Sequence, residues 1–263
     1  MIKIKSQEEL DIMVEGGKIT AQVRAELLEQ AQPGVSTWEL EELAERRIRE
    51  QGGEPGFKRV EGYSYATCIN VNEGLVHGIP SREITLQEGD LVSVDLGTFY
   101  KGFHTDAAWT TISGQQTAIG DQSEVDQGAA DDKKHFLETG QKALKGATQK
   151  CVAGNHVGDV SATIQRVIES EGYNVVRDLV GHGVGEELHE DPQIPCFGLQ
   201  GTGPQLRPGM TLAIEVLYAQ GESAIITNRK DGWTICMRDG SLSAIFENTI
   251  AVTNSGPRIL TAF

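Results

Sequence analysis

The sequence predicts a mixed α+β fold with approximate internal duplication. Each half runs helix, helix, strand, strand, and the C-terminal third is rich in apolar strands. At 263 residues, with 38% apolar and 23% charged side chains, the chain can bury a sizeable core. Identity between the halves is too weak to mark a sequence repeat, so one domain over residues 1–263 is expected.

Ser6-Gln7-Glu8-Glu9 has the S-x-x-E form of a capping box, and Leu10, Met13, Val14, Gly17 and Ala21 then recur at helical spacing. A first helix should run to about Gln30, where Pro33-Gly34 breaks it. Ser36-Thr37-Trp38-Glu39 opens a second helix through Leu40, Leu43 and Ile48, ending near Gly52-Gly53. A strand is expected over Ala66 to Val71. Ser113 to Asp132 lacks large apolar periodicity and reads as an exposed, mobile surface loop. Helices follow at Lys133–Val152 and Gly158–Gly172, the latter with an apolar face of Val160, Ile164, Val167 and Ile168. The remaining strands are Met210–Leu217, Ser223–Ile226, Trp233–Met237 and Ala244–Val252.

The net charge of −15 disfavours nucleic acid and anionic membranes, which select a basic face. It suits cations and substrates with a free amine. Cys68, Cys151, Cys196 and Cys236 are scattered without a C-x-x-C pair, so neither a structural zinc site nor a disulfide framework is expected. The N-terminus has no apolar segment of a secretory signal, and no apolar run approaches membrane-spanning length. A cytoplasmic protein is the expectation.

Chemistry concentrates in a few stretches. Leu91 to Ala107 reads as two apolar strands about a turn at Tyr100-Lys101-Gly102, each carrying one aspartate, Asp95 and Asp106. Folding about Tyr100 and Lys101 would set the two carboxylates directly opposite, about 4.5–5.5 Å apart at Cβ. Like charges that close repel unless a cation lies between them. Taken alone, the pair is compatible with a solvent-facing hairpin. Elsewhere, Ala213-Ile214-Glu215-Val216 and Ala244-Ile245-Phe246-Glu247 place glutamates in apolar strands, where an unpaired charge is costly. Gly181 to Glu190 carries His182 and His189 among glycines, and His77 follows a strand in Leu75-Val76-His77-Gly78-Ile79-Pro80. Asp95, Asp106, Glu215, Glu247 and His182 together supply four carboxylates and an imidazole, a donor set for Mn, Fe(II), Co or Zn. Four carboxylates balance two divalent ions, the stoichiometry of a dinuclear hydrolytic centre. His77 and His189 remain for substrate.

With the motifs VHGIP, VSVDLG, FHTDAA, GHGVG-x-x-LHEDP, RPGM-x-x-AIE and KDGWT in this order, the chain resembles the type I methionine aminopeptidases over nearly its whole length. The resemblance implies the pita-bread (creatinase/aminopeptidase) fold: a pseudo-two-fold antiparallel sheet with helices packed on one face. It implies two divalent ions per chain, with Asp95 and Asp106 as ligands and Asp106 bridging. His182 and Glu215 would complete one metal, and Glu247 would bridge to the other. Glu215 would also shuttle protons, His189 would bond the scissile carbonyl, and His77 would contact the scissile amide. The substrate's free α-amine would bind one metal, so only the first residue is removed. Phe57, Tyr63, Cys68, Leu188 and Trp233 would line a pocket suited to a thioether.

Partners so implied are N-terminal-methionine peptides and nascent chains met near the ribosome, with no direct nucleic acid, no membrane and a monomeric chain. Only 25 residues separate His189 from Glu215, too few for the type II helical insertion, and no zinc-finger extension is expected before the first helix. Departures from the pattern are Val216 where proline is usual, Val76 where cysteine is frequent, Val60 in place of an aromatic, and a long Ser113–Asp132 segment. The alternatives are an Xaa-Pro aminopeptidase or dipeptidase on the same fold, or a binding relative that has lost its metals.

Overall fold

The computed structural model describes residues 2–114 and 127–262. In the N-terminal half the chain forms α1 (Gln7–Gln30), α2 (Thr37–Glu50), the short β1 (Glu54–Pro55), β2 (Thr67–Val71), β3 (Gly74–Val76), β4 (Leu91–Tyr100) and β5 (Phe103–Ile112). The C-terminal half follows with α3 (Gln127–Thr148), α4 (Val157–Ser170), β6 (Asn174–Val175), β7 (Val180–Gly183) and β8 (Glu190–Pro195). It ends with β9 (Thr211–Ala219), β10 (Ile225–Thr227), β11 (Ile235–Met237), β12 (Ser243–Thr253) and β13 (Gly256–Ile259). Both capping boxes form: Ser6 and Ser36 accept from the backbone of Glu9 and Glu39, whose carboxylates return the bond to the cap N–H.

Most of the expected loop, residues 115–126, lies outside the described residues. Its last part does not: residues 127–132 are the first turns of α3, ahead of the expected start at Lys133. Ala129 and Ala130 favour a helix without supplying large apolar periodicity, which is why pattern alone missed them. Strands β1, β6, β7, β8 and β13 were also absent from the sequence reading.

The two halves repeat one plan. β4 pairs antiparallel with β5 on one edge and with β1 and β2 on the other. β9 pairs likewise with β12 on one edge and with β6 and β7 on the other, while β8 and β13 extend the sheet. α1 and α2 cover the first unit and α3 and α4 the second. Alternation along each strand divides the faces. Val92, Val94 and Leu96 join the core under α1 and α2, and Ile214, Val216 and Tyr218 join Phe136 of α3. The intervening positions, Asp95 and Glu215, face the other way.

The seam between units is closed by threonines. The Thr249 hydroxyl accepts from the Asp106 N–H at 2.9 Å and donates to the Asp106 carbonyl at 2.8 Å. Thr110 does the same to Ile245, at 3.0 and 2.9 Å. Each hydroxyl stands in for a missing strand neighbour and supplies a partner to the N–H and carbonyl of Asp106 and of Ile245. The pair of clamps is related by the same two-fold that relates the sheets.

One register expectation is corrected. The tight turn is Lys101-Gly102, both with positive φ (47° and 96°), the geometry of a two-residue hairpin loop. Tyr100 therefore pairs with Phe103, Asp95 lies opposite Ala108, and Asp106 lies opposite Gly97. The aspartates are diagonal neighbours on one face, not directly opposed. Direct opposition of carboxylates occurs instead in the other unit, where Glu215 faces Glu247 across β9 and β12.

Candidate metal centre

Every residue singled out by sequence lies on the wall of a single cavity of about 130 Å³. Asp95, Asp106, Glu215 and Glu247 come from four strands, two per unit; His182 comes from β7, His77 from the end of β3, and His189 from the segment before β8. Phe57, Tyr63, Cys68, Leu188 and Trp233 form the apolar end, joined by Val60 and Val76. Tyr63 stands edge-on to Trp233 at 5.1 Å and donates its hydroxyl to the Thr67 carbonyl, which fixes the pocket wall.

His182 is brought in by close strand approach. It pairs with Ala213 on β9, and a Cβ on the next residue, Gly183, would stand 2.1 Å from the Asp191 carbonyl oxygen. Only glycine allows that approach. The His182 Nδ1–H donates to the Gly183 carbonyl at 2.9 Å, which leaves Nε2 as a lone pair 3.5 Å from Glu215 Oε1. Burial pushes the His182 pKa down to about 4, so the ring is neutral at physiological pH. Two lone pairs so placed repel unless a cation joins them.

The carboxyls carry the same message. Burial, followed by the charges of Asp106 and Glu215, holds Asp95 well above the usual carboxylate range. Burial raises Asp106 to about 7. Glu215 and Glu247 are raised further by burial and then by Asp106. Asp95 Oδ1, Asp106 Oδ1 and Glu247 Oε1 are buried and have no hydrogen-bond partner among the described residues. Such acceptors are costly to bury unsatisfied. Asp106, His182 and Glu247 each offer one ligand atom, all within 4.8 Å of one another. Oxygen-rich with one neutral imidazole, the donor set fits a hard or borderline divalent ion.

Several supporting residues escaped the sequence reading. Arg24 of α1 is buried behind β12, where one guanidinium nitrogen donates to the Glu247 carbonyl and to Asn248 Oδ1, both at 3.2 Å. Burial lowers its pKa to about 10, against the opposing pull of Glu247. A signal existed: Arg24 falls between Ala21 and Leu27 on the apolar stripe of α1. Glu41 of α2, also buried, accepts from the Ala66 and Thr67 N–H groups at 2.7 and 2.9 Å and from the Thr67 hydroxyl at 2.7 Å, anchoring the start of β2 ahead of Cys68. The four cysteines are free, as their scatter predicts.

The profile of metallopeptidase family M24 matches residues 11–254. The chain belongs to the M24 metallopeptidases. Within that family it is similar to methionine aminopeptidase 1 of Bacillus subtilis, 42% identical over 261 residues with 99% of each chain covered. This M24 chain also superposes on a crystal structure of methionine aminopeptidase from Thermotoga maritima with a TM-score of 0.91 at 42% identity, covering all of both chains. A prolidase from Pyrococcus furiosus shares the fold at a TM-score of 0.75 and 22% identity, with 99% of this chain and 65% of that one covered. The expected pita-bread fold is therefore the observed one, and an M24 metallopeptidase is an enzyme of divalent metals. No helix among the described residues is long and apolar enough to cross a membrane.

Proposed function

We propose that this chain removes the N-terminal methionine from peptides and nascent proteins, as one catalytic domain holding two divalent ions drawn from Mn, Fe(II), Co and Zn. The observation that carries the reading is the meeting of three buried carboxyls with unpaired oxygens, the partly buried Glu215 and a neutral imidazole against an apolar sulfur- and aromatic-lined pocket. Asp95, Asp106, His182, Glu215 and Glu247 would hold the ions. Two such ions supply Lewis acidity and lower the pKa of a bound water.

The protein's own groups do the rest. The apolar end takes the methionine side chain, with Cys68, Tyr63 and Trp233 offering the soft contacts a thioether favours. Partial desolvation lowers the His189 pKa, and its ring would present an N–H to the scissile carbonyl oxygen; His77, lowered likewise, lies where it can bond the scissile amide. Glu215 takes a proton from the attacking water and returns it to the leaving amine. The substrate's free α-amine would be held at the metal end while its side chain fills the pocket walled by Phe57, Tyr63 and Trp233, which limits cleavage to the first peptide bond. Cytoplasmic placement, action near the ribosome and a monomeric state belong to the same reading.

The test is methionine release from Met-Ala-Ser by metal-free protein reloaded separately with each ion, beside an Ala-Pro peptide. Glu215→Gln should abolish turnover while the chain stays folded. Parental rates from Glu215→Gln, or from the metal-free chain, would remove the mechanism; faster cleavage of the Ala-Pro peptide would remove the substrate assignment.

A further inference from the structure

His189 has no hydrogen bond to its ring among the described residues; what aims it is the backbone of the segment that carries it. That segment, from Val184 to Glu190, passes over the N-terminal strap of the chain. Lys5 Nζ donates to Glu190 Oε2 at 2.5 Å, and both side chains are nearly sealed from solvent, at 4% and 5% exposure. The other Glu190 oxygen accepts from the Glu187 N–H at 3.2 Å, so one carboxylate ties the Lys5 ammonium to the turn immediately ahead of His189. The Lys5 stem lies flat on Gly185: a Cβ there would stand 2.3 Å from Cε. Gly185 in turn accepts from the His104 N–H at 2.6 Å, and Lys5 is itself pinned by its N–H to the Gly209 carbonyl at 2.8 Å. The exposed Lys3 pairs with Glu186 at 2.5 Å and more loosely with the other Glu190 oxygen at 3.4 Å, so Lys5 is the buried partner of Glu190.

A buried ion pair of this kind contributes little net stability compared with an apolar replacement, so its role is more readily sought in the geometry it enforces. The nearest functional group is His189, adjacent in sequence to Glu190 and packed on His182 with ring centroids 4.4 Å apart. We propose that Lys5, acting through Glu190, is a positioning residue for His189, so that the strap formed by the first residues of the chain is part of the active site's support. This rests on the reading of His189 given under the proposed function. Loss of the clamp leaves the metal ligands on β4, β5, β7, β9 and β12 in place and lets the His189 segment drift from the carbonyl.

The experiment compares Lys5→Met, Glu190→Gln, His189→Ala and the His189→Ala/Lys5→Met pair, all metal-loaded, by kcat and KM on Met-Ala-Ser and by calorimetric metal affinity. A misplacement of the order of 1 Å costs roughly 10–100-fold in turnover. Lys5→Met and Glu190→Gln should each lose kcat by about that factor with metal affinity unchanged. In the His189→Ala background, Lys5→Met should cost nothing further. Glu190→Gln keeps its shape and carries the same test if Lys5→Met does not fold. Parental kcat in either folded single variant, equal losses of kcat and metal affinity, or a full multiplicative loss in the paired variant would each overturn the assignment of Lys5. His189→Ala turning over at the parental rate would overturn the His189 reading and this proposal with it.

Discussion

Thr249→Val probes the seam where the two units meet. The substitution keeps the shape of a fully buried side chain and removes its hydroxyl, breaking the 2.9 Å and 2.8 Å bonds to the Asp106 N–H and carbonyl. Two buried backbone groups then lack partners, at about 1–3 kcal/mol each. The expected loss is therefore on the order of 2–6 kcal/mol, a fall in Tm of roughly 4–24 °C for a chain of this size. Thr110→Val removes the equivalent clamp on Ile245 and should cost about as much. The two differ in function, because Thr249 grips the backbone of a metal-ligand candidate and Thr110 does not. Calorimetric unfolding of the metal-free proteins, with metal titration of each, separates the effects: both lose stability, and Thr249→Val loses more metal affinity. A Thr249→Val protein that melts with the parent, or binds metal no worse than Thr110→Val, would refute the claim that the hydroxyl couples the seam to Asp106.

Metal-free protein should lose stability as pH rises from about 4 through 7, because Asp106, raised from 3.8 to about 7, and its three more strongly raised neighbours keep protons in the folded chain that the unfolded chain has released. Adding a divalent ion at pH 7.5 should restore stability and release protons, measurable by denaturant melts and by titration in buffers of different ionisation enthalpy; stability that rises across this window in metal-free protein would contradict the reading. Glu41→Leu strands the Ala66 and Thr67 N–H groups and should cost on the order of 2–5 kcal/mol in urea unfolding. Because β2 carries Cys68, the same variant should raise KM for Met-Ala-Ser more than it lowers metal affinity.

What the sequence made legible follows from where each signal is local. A capping box is written in four consecutive residues, so the starts of α1 and α2 could be placed to the residue. A carboxylate inside a run such as Ala-Ile-Glu-Val announces a burial cost that some partner must meet, so Glu215 and Glu247 stood out before any contact was known. The register of β4 and β5 was not legible. It turns on whether the loop is centred on Tyr100-Lys101 or Lys101-Gly102, a shift of one residue that moves every cross-strand partner. The shared face survived because both aspartates move together. Lys5 and Glu41 were invisible for a different reason: each meets its partner across a long stretch of chain, and nothing in an isolated lysine or glutamate says that it is buried.

The duplication explains why the site lies where it does. Each unit offers its helices one apolar sheet face and is left with a second face that must also be covered. Joining the units along the edges of β5 and β12 sets those faces side by side and places two carboxyls from each beside the seam. Charge concentrated there by the fold's symmetry would drive the units apart in the absence of cations, since Arg24 is the one nearby protein cation among the groups that act on Glu247. The halves are not equivalent in detail: Asp95 and Asp106 sit diagonally while Glu215 and Glu247 oppose directly, and among the described residues the imidazole grouped with the carboxyls, His182, comes from the second unit. That asymmetry turns a symmetric seam into a site with two distinct ends, ligand-rich beside His182 and apolar beside Tyr63 and Trp233. On the proposed function, a substrate bound between them would enter with its amine toward the first and its side chain toward the second.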